Sequence, residues 1–384
     1  MASPVLTRPA TAPTSSPSAH VARVGEPANP RDMRTRLAAA RSEEQVRRRS
    51  RWSVALKALL GVGLTGVLIV WALPRAVGAS WSQIGETVTA VQPWQLGLLA
   101  ALWLLGLAVH TLALSAAMPG LSHRRSFLLN ITGSFVSNLL PLGGAAGTVA
   151  NYSMARSWGF GPVAFARWAL VTNVWDTLVK LALPVIAITW LSTTTLHNDA
   201  LGTVAIISVI ALVLMVIGVA ALFLSDRVAR GLARVVARAA RVIRRPSDSV
   251  TWQHRAVEMR CDTAELVAQG WGRLTVGKVA YAALQAVLLW TCLWVVGLHV
   301  SPAVVFAAFA VQNVLTLFVI TPGAAGFVEV GMAGVLVALG APAAGAAAAI
   351  LLYRGFVFLM EIPVGGALMG LWVARRPADV AAAA

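Results

Sequence analysis

Apolar residues recur along this chain in long unbroken tracts, and these tracts dominate its pattern. A helix rises about 1.5 Å per residue, so about 20 apolar residues are needed to cross a bilayer core. Six tracts have that length: 53–73, 93–117, 163–190, 201–224, 276–298 and 343–373. Two more, 127–158 and 303–340, are apolar but interrupted by a proline and a Gly-Ala-Ala-Gly core. They contain "LLPLGGAAGTVANYS" (139–153) and "VITPGAAGFVEVG" (319–331). In the first, about 15 residues precede Pro141, roughly 22 Å of helix, which is short for a crossing. This predicts a re-entrant pair of half-helices or two short irregular spans. The second tract has a longer first arm, so the distinction is weaker there. The predicted fold is all-α and polytopic, with about six full spans plus two broken helical hairpins.

Composition agrees. Hydrophobic residues make up 58% of the chain and charged residues 12%, against about 25% charged in a soluble domain. The six histidines are scattered without ligand spacing, and Cys261 and Cys292 lie far apart in unlike surroundings. Neither a metal centre nor a disulfide framework is expected, and no cofactor is implied.

The net charge of +16 raises the question of nucleic acid. Its distribution answers in favour of membrane sidedness, because the excess sits before the first tract and between residues 225 and 275. Residues 1–52 form a basic arm rich in Pro, Ser, Ala and Arg, expected to be disordered and cytoplasmic. No signal-peptide pattern precedes the first tract. Arg47, Arg48, Arg49 and Arg51 place the N-terminus inside. The stretch 74–92, with Arg75 alone, falls outside, and "SHRRS" (122–126) returns inside. Arg156 and Arg167 keep the end of the first broken tract inside. "LSTTTLHNDA" (191–200), "HVSP" (299–302) and "APAAG" (341–345) carry no Lys or Arg and fall outside, while Arg375 and Arg376 begin an inner tail. Within 225–275, Arg227, Arg230, Arg234, Arg238, Arg241 and Arg245 recur at helical steps beside an apolar stripe. That pattern suits a helix lying on an anionic leaflet, or an ordinary basic surface helix.

The two broken tracts align. An amide precedes each core, Asn138 in one and Asn313 in the other; a Gly/Pro turn ends each second arm; and each following span carries an ionisable residue, Asp176 or Arg354. Two copies of span, broken hairpin and span emerge, 93–190 and 276–373, and the charge pattern sets them upside down to one another. Inverted repeats with discontinuous helices are a transporter layout, with the substrate near the midplane. Broken backbone at membrane depth is tolerated where it is buried in protein or lines a wet cavity. A Gly-rich turn opening a helix also offers N–H groups and a positive dipole end to an anion, such as a phospholipid head group. The alternative is that these small residues only permit close helix packing.

Charge inside a span costs about 2.5–3.5 kcal/mol on insertion scales. Asp176, Lys180, Glu329, Arg354 and Glu361 all carry that burden. Asp176 and Lys180 are one turn apart and can pair; Arg354 and Glu361 are two turns apart, and each is expected to find a partner on another span. They form either interhelical ion pairs or a polar track for a head group. The candidate head-group cavity comprises Asn138, Gly143, Gly144, Gly147, Asn151, Arg156, Asp176, Lys180, Asn313, Gly323, Gly326, Glu329, Arg354 and Glu361. Trp158, Trp168 and Trp175 are expected to be interfacial anchors or lipid-facing bulk, and His110 a buried donor.

"SNLLPLGGAAG" with Arg156 and Asp176, then "ITPGAAGFVEVGM" with "LLYRGFVFLMEIP", resemble the flippase-like family typified by the transmembrane region of lysylphosphatidylglycerol synthases. The resemblance covers roughly residues 53–373. It implies a membrane region that moves an aminoacylated phospholipid to the outer leaflet. It also implies cavity roles for Gly143, Gly144, Gly147, Gly323, Gly326, Glu329 and Arg354. Twelve residues follow Trp372, so the soluble synthase domain, and with it aminoacyl transfer, is not expected here.

The expected function is therefore translocation of an anionic or aminoacylated phospholipid, or a lipid-linked intermediate, at a bacterial plasma membrane. No phosphate-loop motif supplies a nucleotide motor. Two alternatives stand beside it: a membrane enzyme using Glu329 or Asp176 as a base, and a scaffold recruiting a lipid-modifying synthase or glycosyltransferase. The expected partners are membrane phospholipids, not nucleic acid.

Overall fold

The computed structural model describes residues 63–140, 143–194, 199–224, 249–317 and 321–375. The N-terminal arm, the start of the first tract, Pro141, the arginine stripe of 227–245 and the tail beyond Arg375 lie outside the described residues.

Regular structure among the described residues is entirely helical. Helix α1 (Gly63–Val77) passes through a π-helical turn at Leu68–Ala72 and ends at Gly78, whose φ of +76° suits a left-handed cap. Helix α2 (Trp81–Thr89) starts on a Ser80–Gln83 capping box and lies at 95° to α1. Then follow α3 (Pro93–Ala116), α4 (His123–Leu139), α5 (Gly143–Ser157), α6 (Pro162–Thr194) and α7 (Asp199–Leu224). The chain continues with α8 (Ser249–Val295), α9 (Pro302–Leu315), α10 (Phe327–Ala338) and α11 (Ala343–Ala374). Among the described residues, α3, α6, α8 from Asp262 and α11 are long and apolar enough to cross a membrane, and bent α1–α2 makes up to a fifth. Of the other predicted spans, 53–73 begins outside the described residues and 201–224 contributes the apolar stretch Ile206–Gly218.

Both interrupted tracts are broken hairpins. Their arms, 17 and 15 residues for α4 and α5, 14 and 12 for α9 and α10, each fall short of a crossing. The longer first arm expected in 303–340 is absent, because α9 stops at Leu315. Side chains compete for its last carbonyls: Asn313 Nδ2 donates to Phe309 O at 2.9 Å and Thr316 Oγ1 to Asn313 O at 2.8 Å. Within 225–275, the part from Ser249 forms the first half of α8, a helix of 47 residues continuous with the span. Leu266, Val267 and Leu274 pack there against Leu114, Met118 and Phe165, so the apolar face simply continues.

Three helix pairings organise the bundle. Helices α3 and α8 run antiparallel, with Gly106 beside Tyr281, Ala113 beside Gly277 and Ala116 beside Gly270. A Cβ on Gly277 would lie 2.6 Å from Ala113 N, so the small residue sets the approach. Helix α4 packs antiparallel on the second half of α11, where a Cβ on Gly365 would lie 2.5 Å from Ile131 O. Helix α9 packs in the same manner on α6. The first arm of each hairpin thus leans on a long span: α4 on α11 and α9 on α6.

Two of the three tryptophans depart from expectation. Trp168 is buried and donates to Leu114 O at 3.1 Å; Trp175 donates to Thr275 Oγ1 at 3.1 Å. Both tie helices together. Trp158 sits under the Arg125 guanidinium, 5.3 Å from the ring centroid.

Candidate functional site

The second break is closed on itself. After Thr321 the chain makes a short 3₁₀ turn, Pro322–Ala324, with Gly323 at φ +56° and Gly326 at φ +90°. Glycine at both positions avoids the left-handed penalty. Three backbone N–H groups at this turn already have acceptors. Ala324 N–H bonds to Thr321 O, Ala325 N–H to Pro322 O, and Gly326 N–H to Glu329 Oε2. Glu329 therefore supplies the anion that the start of α10 attracts. Its other oxygen accepts from Arg354 Nε at 2.7 Å, and Arg354 Nη2 reaches Gly323 O at 3.0 Å. Apart from half-buried Gly323 the turn is buried, and three of the N–H groups that an anion would meet there are already engaged within the protein.

The first break meets the second through Asn138. Its Nδ2 donates to Glu361 Oε2 at 3.2 Å and approaches Phe358 O at 3.5 Å. Helix α11 is π-helical over Gly355–Leu359, and Pro363 has no N–H to give the carbonyls of the preceding turn. A neighbouring amide compensates. The Phe358 ring lies 4.8 Å from the Arg354 guanidinium and against Gly323, while Asn138 Oδ1 would be 3.2 Å from a Cβ on Gly323. The ends of both breaks thus converge on the π-helical turn of α11.

Beside this junction lies a polar cavity of about 280 Å³. Its wall is drawn from six helices: His110; Asn130 and Ser134; Asp176, Val179 and Lys180; Lys278, Tyr281, Ala282 and Gln285; Gln312 and Asn313, with Thr316 just past the end of α9; Arg354 and Val357. Asp176 divides its carboxylate between two lysines, Oδ2 to Lys180 at 3.0 Å and Oδ1 to Lys278 at 3.3 Å. One carboxylate cannot neutralise both. Because Arg354 is neutralised by Glu329, the Asp176 cluster, in which only Lys278 is deeply buried, holds one more cationic side chain than anionic ones. Several buried polar atoms here lack a well-formed hydrogen bond among the described residues: both ring nitrogens of His110, Asn130 Nδ2 and Gln312 Oε1, with His110 and Asn130 close enough to interact with each other. Groups of this kind are normally satisfied, so they mark a place for water or a ligand. The His110 ring is fixed by stacking on Tyr281, with centroids 4.2 Å apart and planes 4° from parallel, a contact that the close α3–α8 approach makes possible.

The lysylphosphatidylglycerol synthase TM region family matches residues 58–365, well over half of the 384-residue chain. The chain belongs to that family. Every cavity-lining residue named above falls inside the match. No curated protein matches the chain.

Within this family framework the candidate residues divide. Asp176, Lys180, Asn313 and Arg354 line the cavity; Asn138, Gly323, Gly326, Glu329 and Glu361 build the junction behind it. The first glycine core does neither. Gly143 and Gly147 are buried against Ser137 and Gly133 of the facing arm, and Asn151 lies over Gly133, so these residues close the α4–α5 hairpin. Gly144 and Arg156 are exposed. As expected, Asp176 pairs with Lys180 along one helix, and Arg354 and Glu361 find partners on other segments. His110 is buried, as expected, with Asn130 as the neighbouring side chain that interacts with it. The reading from sequence omitted Lys278, which lies near the start of an apolar tract. Its signal was a polar stripe, Lys278, Tyr281 and Gln285, at helical spacing on a span.

Proposed function

We propose that this protein moves a lipid with an anionic head group between the leaflets of a bacterial plasma membrane, passing the head group through the cavity while the acyl chains stay in lipid. The observation that carries this reading is the Asp176–Lys180–Lys278 cluster: two lysines on one carboxylate, in a half-open cavity whose other walls hold polar atoms without a hydrogen-bond partner among the described residues. Phosphate is a fitting occupant, since it accepts from lysines and from amide and imidazole donors alike. The antiparallel run of α3 and α8, and the crossed seating of α4 on α11 and α9 on α6, support an inverted repeat of 93–190 and 276–373. In this reading both termini are cytoplasmic, membrane phospholipids are the partners, and transport needs no catalytic residue. Aminoacylated and polyprenyl-linked lipids belong to the same candidate class, because each presents a phosphate.

The test is leaflet exchange of head-group-labelled lipids in proteoliposomes holding the full chain. Accelerated exchange of an anionic lipid, lost in Lys278→Met, is the expected result. No exchange of any anionic, aminoacylated or polyprenyl-linked lipid would overturn the proposal.

A further inference from the structure

Glu361 is a buried carboxylate outside both the cavity lining and the Arg354–Glu329 pair. It is 6% exposed, lies two residues past the π-helical turn of α11 and, among the described residues, has no ion-pair partner. Its contacts are Asn138 Nδ2 at 3.2 Å and the Ser134 hydroxyl, both on α4. The charged or titratable groups around it are Arg354 and Tyr353 on its own helix and Tyr281 on α8. Arg354 is already engaged by Glu329 on α10. On the packed elements, α4 offers only neutral donors near Glu361, and the His110 ring of α3 is stacked on Tyr281.

Position gives this carboxylate leverage. Arg354 and Glu361 flank the π-helical turn, and each holds one broken hairpin: Arg354 grips Gly323 and Glu329 of the second, Glu361 grips Asn138 at the end of the first arm. An ionised carboxylate accepts a charge-assisted bond from Asn138; a protonated one keeps only a weaker neutral bond. Proton uptake at Glu361 therefore loosens one hairpin while the other stays held.

We infer that Glu361 is a proton-binding site whose occupancy sets the link between the two broken hairpins, so that lipid movement is coupled to a proton taken up from one side and released to the other. The inference rests on the transport reading, and its test separates the two. The full chain in lipid is titrated by infrared difference spectroscopy, which reads carboxylic-acid carbonyl stretching directly, and exchange is measured with and without an imposed proton gradient. A carbonyl band that titrates in the wild type, is lost in Glu361→Gln and shifts its midpoint in Asn138→Ala, together with gradient-accelerated wild-type exchange, is the expected result. The proposal is overturned if no such band depends on Glu361, if wild-type exchange ignores the gradient, or if Glu361→Gln still responds to it. Should Glu361→Gln not fold, the Asn138→Ala midpoint decides, and an unmoved midpoint counts against the site. Should wild-type exchange be absent altogether, the transport reading fails, while the band still decides whether Glu361 binds the proton.

Discussion

Arg354 Nε donates to Glu329 Oε1 at 2.7 Å, joining the last span to the start of the second hairpin's second arm with both side chains buried. The carboxylate is shared with Gly326 N–H and the guanidinium with Gly323 O, so one ion pair closes the whole second break. Removing one partner of a buried pair leaves the other charge uncompensated, at about 3–5 kcal/mol. Glu329→Ala is therefore expected to lower the melting midpoint of the full chain in nanodiscs sharply. The double variant Glu329→Leu/Arg354→Met should recover much of that loss, since apolar replacement of a whole buried pair is often neutral. A single variant as stable as the wild type would show the pair to be dispensable.

Lys278 is the test of the anion site. A hydrogen bond to a charged group is worth about 1.5–3 kcal/mol, roughly a tenfold to a hundredfold effect. Lys278→Met is expected to slow exchange of an anionic lipid by that factor in proteoliposomes while leaving Asp176 paired to Lys180. Asp176→Asn acts differently, stranding two lysines, one of them 5% exposed. It should lower the melting midpoint more than Lys278→Met does. Equal exchange rates for Lys278→Met and the wild type would remove this lysine from the transport path.

The first glycine core separates packing from lining. A Cβ on Gly143 would strike Ser137 O, and one on Gly147 would lie 2.8 Å from Gly133 O, whereas Gly144 meets nothing within 4 Å. Overpacking costs about 1–3 kcal/mol. Gly143→Ala is expected to destabilise the chain by that order, and Gly144→Ala to leave its melting midpoint unmoved. If Gly144→Ala abolished exchange while stability held, this exposed glycine would belong to the lipid path after all.

How far the sequence reveals this site depends on whether a signal is local. Apolar length locates α3, α6 and α11 closely, because one-dimensional hydropathy is what a bilayer reads. Intramembrane charge finds Asp176, Lys180, Glu329, Arg354 and Glu361, because each stands against an apolar background. What escapes is pairing. Glu329 with Arg354, 25 residues apart, and Asp176 with Lys278, 102 residues apart, depend on helix contacts that no local pattern encodes. The role of Gly143 is hidden for a similar reason: the same glycine serves an anion nest or a tight hairpin, and only the neighbouring Ser137 carbonyl decides. The early end of α9 turns on Asn313 and Thr316 competing with the backbone, an effect that hydropathy does not register.

Opposite orientation of the two hairpins gives the sharpest test of the repeat. Ser122 and Ser301 are the exposed N-cap residues of α4 and α9, the first arms of the two hairpins. If the copies are inverted, these equivalent positions face opposite sides, Ser122 beside the basic "HRR" that favours the cytoplasm and Ser301 in a connection free of Lys and Arg. With Cys261 and Cys292 replaced by alanine, Ser301→Cys is expected to react with a membrane-impermeant maleimide on intact spheroplasts, and Ser122→Cys only after the membrane is opened. Ser301 costs little to change, as its side chain makes no capping bond, whereas Ser122 Oγ accepts from Arg125 N at 3.4 Å, a long contact worth well under a full cap. Labelling of both positions from the same side would set the hairpins alike in the membrane, and the inverted repeat, with the midplane site derived from it, would fall.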